Sequence, residues 1–140
     1  MTGYVIDDSV LVALAQGNND AANVIASLDA AETRMAVPAV TLATAQAELS
    51  PDQIAILNGV VENLEHLRLD QLADVQHATE LSRTLYWFAN PRTDISAAHA
   101  ATVAKRFDWW ILTLDTQRWD QVTAELPWRV DLVTLDDPPN

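Results

Sequence analysis

Short runs of β-prone apolar residues alternate with longer stretches whose apolar side chains recur at helical spacing, and this alternation narrows the possible folds more than any other feature of the chain. Tyr4-Val5-Ile6 is the first such run, and after Asp7-Asp8-Ser9 the residues Val10, Leu11, Ala13 and Leu14 fall on one helical face. Gly17-Asn18-Asn19 breaks the pattern, which resumes through Ala21, Ala22, Val24, Ile25 and Leu28 as a second helix. Met35-Ala36-Val37 is a second strand, and Pro38 suits the first turn of a helix through Leu42, Ala45 and Leu49. Ser50-Pro51-Asp52 ends that helix and starts another.

Further along, Ile54 to Leu64 again fits one helical face, and His66-Leu67-Arg68-Leu69 alternates as a half-exposed strand does. A long helical stretch then runs through Ala78, Leu81, Leu85 and Phe88 and ends near Asn90-Pro91. Thr93 or Asp94 is placed to cap the next helix, whose small residues Ala97, Ala98, Ala100, Ala101 and Ala104 permit close packing on a sheet. Trp109 to Thr113 reads as a buried strand, residues 116 to 126 as a short helix, and Val130 to Leu135 as a last strand. Strands alternating with helices predict an α/β domain with a mainly parallel, helix-covered sheet. One domain over residues 1–135 is expected, followed by a short disordered tail at 136–140.

In such sheets ligands sit beyond the carboxyl ends of the strands. Two acids occupy that location: Asp7 ends the first strand, and Asp115 follows Ile111-Leu112-Thr113-Leu114. With no glycine-rich phosphate loop, no clustered histidine pair and no GxSxG elbow, the chemistry left to the chain is that of carboxylates. Hard divalent cations take oxygen ligands, and a carboxylate-held ion can activate water against a phosphodiester. The charge balance points the other way. Twenty acids against eight Lys plus Arg, a formal net charge of -12, set up a field that repels nucleic acid and attracts cations or basic partners.

The segment Tyr4 to Leu11, an apolar strand, an aspartate and a serine two positions later, resembles the opening of PIN domains. Ala98-His99-Ala100-Ala101-Thr102-Val103-Ala104 together with Ile111-Leu112-Thr113-Leu114-Asp115 is similar to that family's second signature, a small-residue helix, an apolar strand and Thr-x-Asp. The resemblance spans most of the chain and is to the VapC-like toxin ribonucleases in particular. It implies a three-layer α/β/α domain in which Asp7 and Asp115 hold Mg²⁺ or Mn²⁺ and act catalytically, with Ser9 and Thr113 as their hydrogen-bond partners. It also implies a homodimer and a place in a toxin-antitoxin pair, with an antitoxin or another protein as partner and RNA as substrate.

The departures from the pattern are as specific as the matches. Where such nucleases carry a glutamate in the helix after the second strand this chain has Thr44, and where some carry an aspartate before the Ala-His pair it has Ala97. Glu48 and Asp94 lie one helical turn from those positions and are the acids available to replace them, about 5 Å out of place along the axis. Asp8 reads as an exposed acid of a first helical turn. His99, within the alanine-rich helix, is the one histidine placed to matter.

Three expectations follow for function. The first is a PIN-like domain whose nuclease activity is weakened or lost and whose role is binding or regulation. The second is an active Mg²⁺-dependent endoribonuclease toxin, and the third is an unrelated α/β binding domain. A cytoplasmic location is expected, because no apolar run approaches the roughly 20 residues a membrane span requires and cysteine is absent. The run Leu85-Tyr86-Trp87-Phe88 is the expected subunit interface, since one helix cannot turn four consecutive bulky residues into one core.

Overall fold

A computed structural model describes residues 2–88 and 94–135. Its elements are β1 (Tyr4–Ile6), α1 (Asp8–Ala15), α2 (Asn19–Ala30), β2 (Met35–Pro38), α3 (Ala39–Gln46), α4 (Pro51–Asn63), β3 (Leu67–Asp70), α5 (Val75–Leu85), α6 (Ile95–Phe107), β4 (Trp110–Thr113), α7 (Thr116–Glu125) and β5 (Leu132–Thr134). The five strands form one sheet in the order β3-β2-β1-β4-β5, and every pairing is parallel. The expected Asn90-Pro91 helix end, the Thr93 cap and the 136–140 tail lie outside the described residues.

Successive side chains of a strand point to opposite faces, and here that period of two sorts the core into two halves. Val5, Ala36 and Ile111 face one side, where α5, α6 and α7 cover them with Leu81, the α6 alanines, Trp119 and Val122. Ile6, Met35, Val37 and Leu112 face the other, against Val10 and Leu11 of α1, Ile25 of α2, Ala45 of α3 and Leu57 of α4. The result is the three-layer α/β/α arrangement expected from the alternation. Both faces of the central strands are covered, which is why β1, β2 and β4 read as continuous apolar runs.

Local chemistry places the helix starts. Asn18, Ser50 and Asp74 each accept a backbone N–H at a helix N-terminus, and Ser50 with Gln53 forms a reciprocal capping box ahead of Pro51. Helix α6 is buried continuously from Ser96 to Ala104 between α5, α3 and the sheet. Its alanines let three neighbours approach at once, and adding bulk there would overpack the layer. Gly3 has a similar cause: a Cβ at that position would sit 2.4 Å from the Trp109 ring, so only glycine admits the indole.

Three expectations are corrected. The strand before Asp115 starts at Trp110, whose side chain is 44 % exposed; the buried indole is that of Trp109, stacked on Phe107 with ring centroids 4.7 Å apart. The Leu85 to Phe88 run divides in two, because α5 ends at Leu85: Leu85 and Phe88 turn onto the core, while Tyr86 and Trp87 stay 78 % and 46 % exposed. Asp8 is no exposed acid. It is only 8 % exposed, and its partner is described below.

Candidate functional site

Parallel neighbours β1 and β4 end at the same edge of the sheet, so Asp7 and Asp115 lie at one carboxyl edge as their motifs require. Ser9 and Thr113 connect them. The Ser9 hydroxyl donates to Asp7 Oδ1 at 2.6 Å and accepts the Leu114 N–H at 2.9 Å, and the Thr113 hydroxyl accepts the Asp115 N–H at 2.9 Å. The two hydroxyls are 3.3 Å apart. Both predicted hydrogen-bond partners therefore serve as a polar stitch between the loops after β1 and β4.

The two acids differ sharply in surroundings. Asp7 is 1 % exposed, and besides Ser9 it accepts the Val10 N–H at 3.2 Å and, on its other oxygen, the Trp119 indole N–H at 2.9 Å. Burial raises its pKa above the ordinary carboxylate value, although Ser9, Thr113, Trp119 and the Val10 amide all pull the other way. It caps α1 and faces inward. Asp115 is exposed, caps α7 through the Arg118 N–H at 3.2 Å, and faces solvent.

Between α1, α3, α6 and α7 lies an open cleft of about 600 Å³ lined by Asp8, Ser9, Val12, Thr44, Glu48, Asp94, Asp115 and Arg118. Both acids proposed as replacements, Glu48 and Asp94, are on its wall, and Thr44 is too. Ala97 is not: it is fully buried in the core. Asp7 is likewise absent from the lining.

A guanidinium sits among these acids. Arg118 grips Asp94 with two bonds, Nε to Oδ2 at 2.7 Å and Nη2 to Oδ1 at 2.6 Å, while Nη1 donates to Asp8. Such a fork matches a carboxylate in a way no point charge does. Burial alone would lower the Arg118 pKa, but the bonds to Asp94 and Asp8 outweigh it and raise the value, so the charge is permanent.

These contacts decide how well the residues suit a divalent ion. The Asp8 and Asp94 carboxylates are engaged by Arg118, and both Asp7 oxygens accept protein donors. Among the described residues no group of three or more His, Asp or Glu side chains is arranged to hold a metal ion. As disposed, the residues do not fit Mg²⁺, which demands near-ideal octahedral oxygen geometry.

Arg118 went unremarked in the sequence, yet a signal was present. A cation in the first turn of a helix opposes the macrodipole, so an arginine three residues after a capping aspartate calls for a specific anionic partner. The partners lie 110 and 24 residues away, which spacing cannot reveal.

His99 is fully buried on α6. Its Nδ1 accepts the Val40 N–H at 3.2 Å, and its Nε2 is buried without a hydrogen-bond partner. Burial, opposed by Asp70 and reinforced by Arg106 and His77, lowers its pKa to about 4. It is a neutral structural imidazole and does not line the cleft.

No protein-family model matches the chain, and no curated protein matches it. Among solved structures it is similar to PAE2754 from Pyrobaculum aerophilum, with a TM-score of 0.55 and 14 % identity over 96 % of this chain and 85 % of that one. At that identity the likeness shows the fold alone. No helix among the described residues is long and apolar enough to cross a membrane.

Proposed function

We propose that this chain is a PIN-like domain, related to the VapC-type Mg²⁺-dependent endoribonuclease toxins, in which an internal arginine has taken the place of the metal, leaving a binding or regulatory module with little or no nuclease activity. The observation that carries this reading is the Asp8–Arg118–Asp94 bridge within the acid-lined cleft. A permanent cation there neutralises two carboxylates and needs no ion, and it repels an incoming divalent cation besides. The -12 formal charge supports the same reading, since an acidic surface without a metal has little to offer a polyanion.

The expected result is concrete. Calorimetric titration of the protein with Mg²⁺ and Mn²⁺ yields no saturable heat, and RNA incubated in parallel with either ion remains intact. Chelator-sensitive cleavage, abolished by Asp7→Asn or Asp115→Asn, would overturn the reading. One observation favours the second reading, an active RNase: Asp8, Glu48, Asp94 and Asp115 all line one cleft. In that case Arg118 must swing out to admit the ion, and Glu48→Gln or Asp94→Asn must slow cleavage.

As partner we propose a second copy of the chain, paired through the exposed Tyr86 and Trp87, whose rings pack edge to face at 5.2 Å and 90°. A two-fold contact buries each pair against its mate. Sedimentation at micromolar concentration is expected to give a dimer, and Trp87→Lys a monomer of unchanged thermal stability; a monomeric parent protein sinks the idea. An antitoxin-like protein or another acid-tolerant partner at the cleft, and a cytoplasmic setting, belong to the same proposal.

A further inference from the structure

A second cavity shares no lining residue with the cleft. It measures about 260 Å³, lies between α5 and α6, and is walled by Glu80, Arg83, Thr84, Thr102, Lys105, Arg106 and Trp128. Three of the chain's eight basic residues meet here, although acids outnumber bases by twenty to eight. The only acid of the wall is already engaged: Glu80 Oε2 accepts Arg106 Nε at 2.9 Å and Nη2 at 2.7 Å, and Arg106 also donates to Asp70. The Arg83 and Lys105 side chains make no hydrogen bond or ion pair with any described residue. Basic residues in the last turns of α5 and α6 complement the helix dipoles, which accounts for cations there but not for the want of an acid paired with Arg83 or Lys105.

The remaining polar groups of the wall lack free acceptors as well. Thr102 donates to the Ala98 carbonyl at 2.7 Å and lies 2.7 Å from the Thr84 hydroxyl, so the two hydroxyls satisfy each other and the helix. The Trp128 indole N–H is buried without a partner, and Lys105 Nζ lies 4.0 Å above that ring. Two cations without a paired acid, one of them seated on an aromatic ring, are chemistry for an anion with a flat apolar body.

We propose that the α5–α6 cavity binds a small aromatic anion, its carboxylate or phosphate held by Arg83 and Lys105 and its ring lying against Trp128. The inference is independent of the fate of the metal cleft.

The test is calorimetry on the full chain with three probes, namely phenyl phosphate, benzoate and inorganic phosphate. One of the two ring-bearing anions is expected to bind with Kd near or below ~1 mM, and inorganic phosphate at least about tenfold more weakly. Which ring-bearing anion binds tighter identifies the charged group. Arg83→Met and Lys105→Met keep the aliphatic stems and are each expected to weaken binding about fivefold or more, a loss of roughly 1 kcal/mol. Arg83 is exposed, so its variant tests the site even if the Lys105 variant folds poorly. No saturable binding of either ring-bearing probe at about 10 mM overturns the proposal. So does binding that both variants leave unchanged, or phosphate binding as tight as phenyl phosphate.

Discussion

Arg118→Ala is expected to cost ~2–4 kcal/mol of stability, about 10 °C in Tm, because it leaves Asp8 and Asp94 facing each other without a countercharge in a partly buried cleft. Removing one partner of such a pair costs more than the pair contributed, since the stranded charges keep their desolvation penalty. A Lys at 118 recovers only part of the loss, as one ammonium cannot reproduce the two-bond fork on Asp94 and reach Asp8 together.

The informative half of the experiment is its metal dependence. In the alanine variant Mg²⁺ or Mn²⁺ at about 10 mM restores part of the lost Tm by occupying the vacated position, while the parent protein shows no such rise. Adding Asp8→Asn and Asp94→Asn to the variant abolishes the restoration. Thermal melts across a divalent titration decide the matter: a variant indifferent to metal, or a parent that gains as much, would falsify the view that Arg118 substitutes for an ion. Thr44→Glu, on the cleft wall, is the natural further addition. Ala97→Asp, the companion change the family pattern suggests, would instead bury a carboxylate in the core and is expected to destabilise the fold.

The second large effect concerns acid. His99 has a folded pKa of about 4 against 6.5 for the free side chain. As pH falls below 6.5 the unfolded chain takes up a proton that the folded chain refuses, so stability declines with pH until the folded value is reached. The window runs from about pH 6.5 down to about 4, and the full loss is on the order of 3 kcal/mol. Asp7 works in the opposite direction: its folded pKa lies above the ordinary carboxylate value, so as pH falls the folded chain takes up this proton before the unfolded one, which offsets part of the decline. His99→Asn places an amide oxygen near the Nδ1 position, keeping an acceptor for the Val40 N–H without a titrating group. Denaturant melts between pH 7 and pH 4 should slope for the parent and flatten for the variant; parallel slopes would remove His99 as the cause.

The three-layer fold was legible because each strand and each helix carries its own periodicity, and caps such as Asn18, Ser50 and Asp94 mark the helix starts locally. The sheet edge holding Asp7 and Asp115 was legible for the same reason. What escaped was direction and partnership. Asp7 turns inward because Trp119 offers an indole donor there, a pairing across 112 residues that no local pattern reveals. Asp8 lost its exposure to an arginine on another element. Ala97 faces the core because α6 is enclosed by α5, α3 and the sheet, a crowding that a run of alanines permits without saying which neighbour lies where.

The strand order carries a consequence for how the chain is made. β1 is the middle of the sheet, and its two neighbours differ greatly in separation along the sequence: Tyr4 pairs with Met35 on one side and with Trp110 on the other. During synthesis β1, β2 and β3 can associate as soon as residue 70 has emerged, but one flank of β1 stays bare until β4 follows some forty residues later. A bare flank of backbone donors and acceptors is a template for unwanted pairing, and parallel contacts across such a distance form slowly. Nascent chains that have not yet exposed Thr113 are therefore the species most prone to aggregate and the ones most dependent on chaperones, whatever the stability of the finished domain.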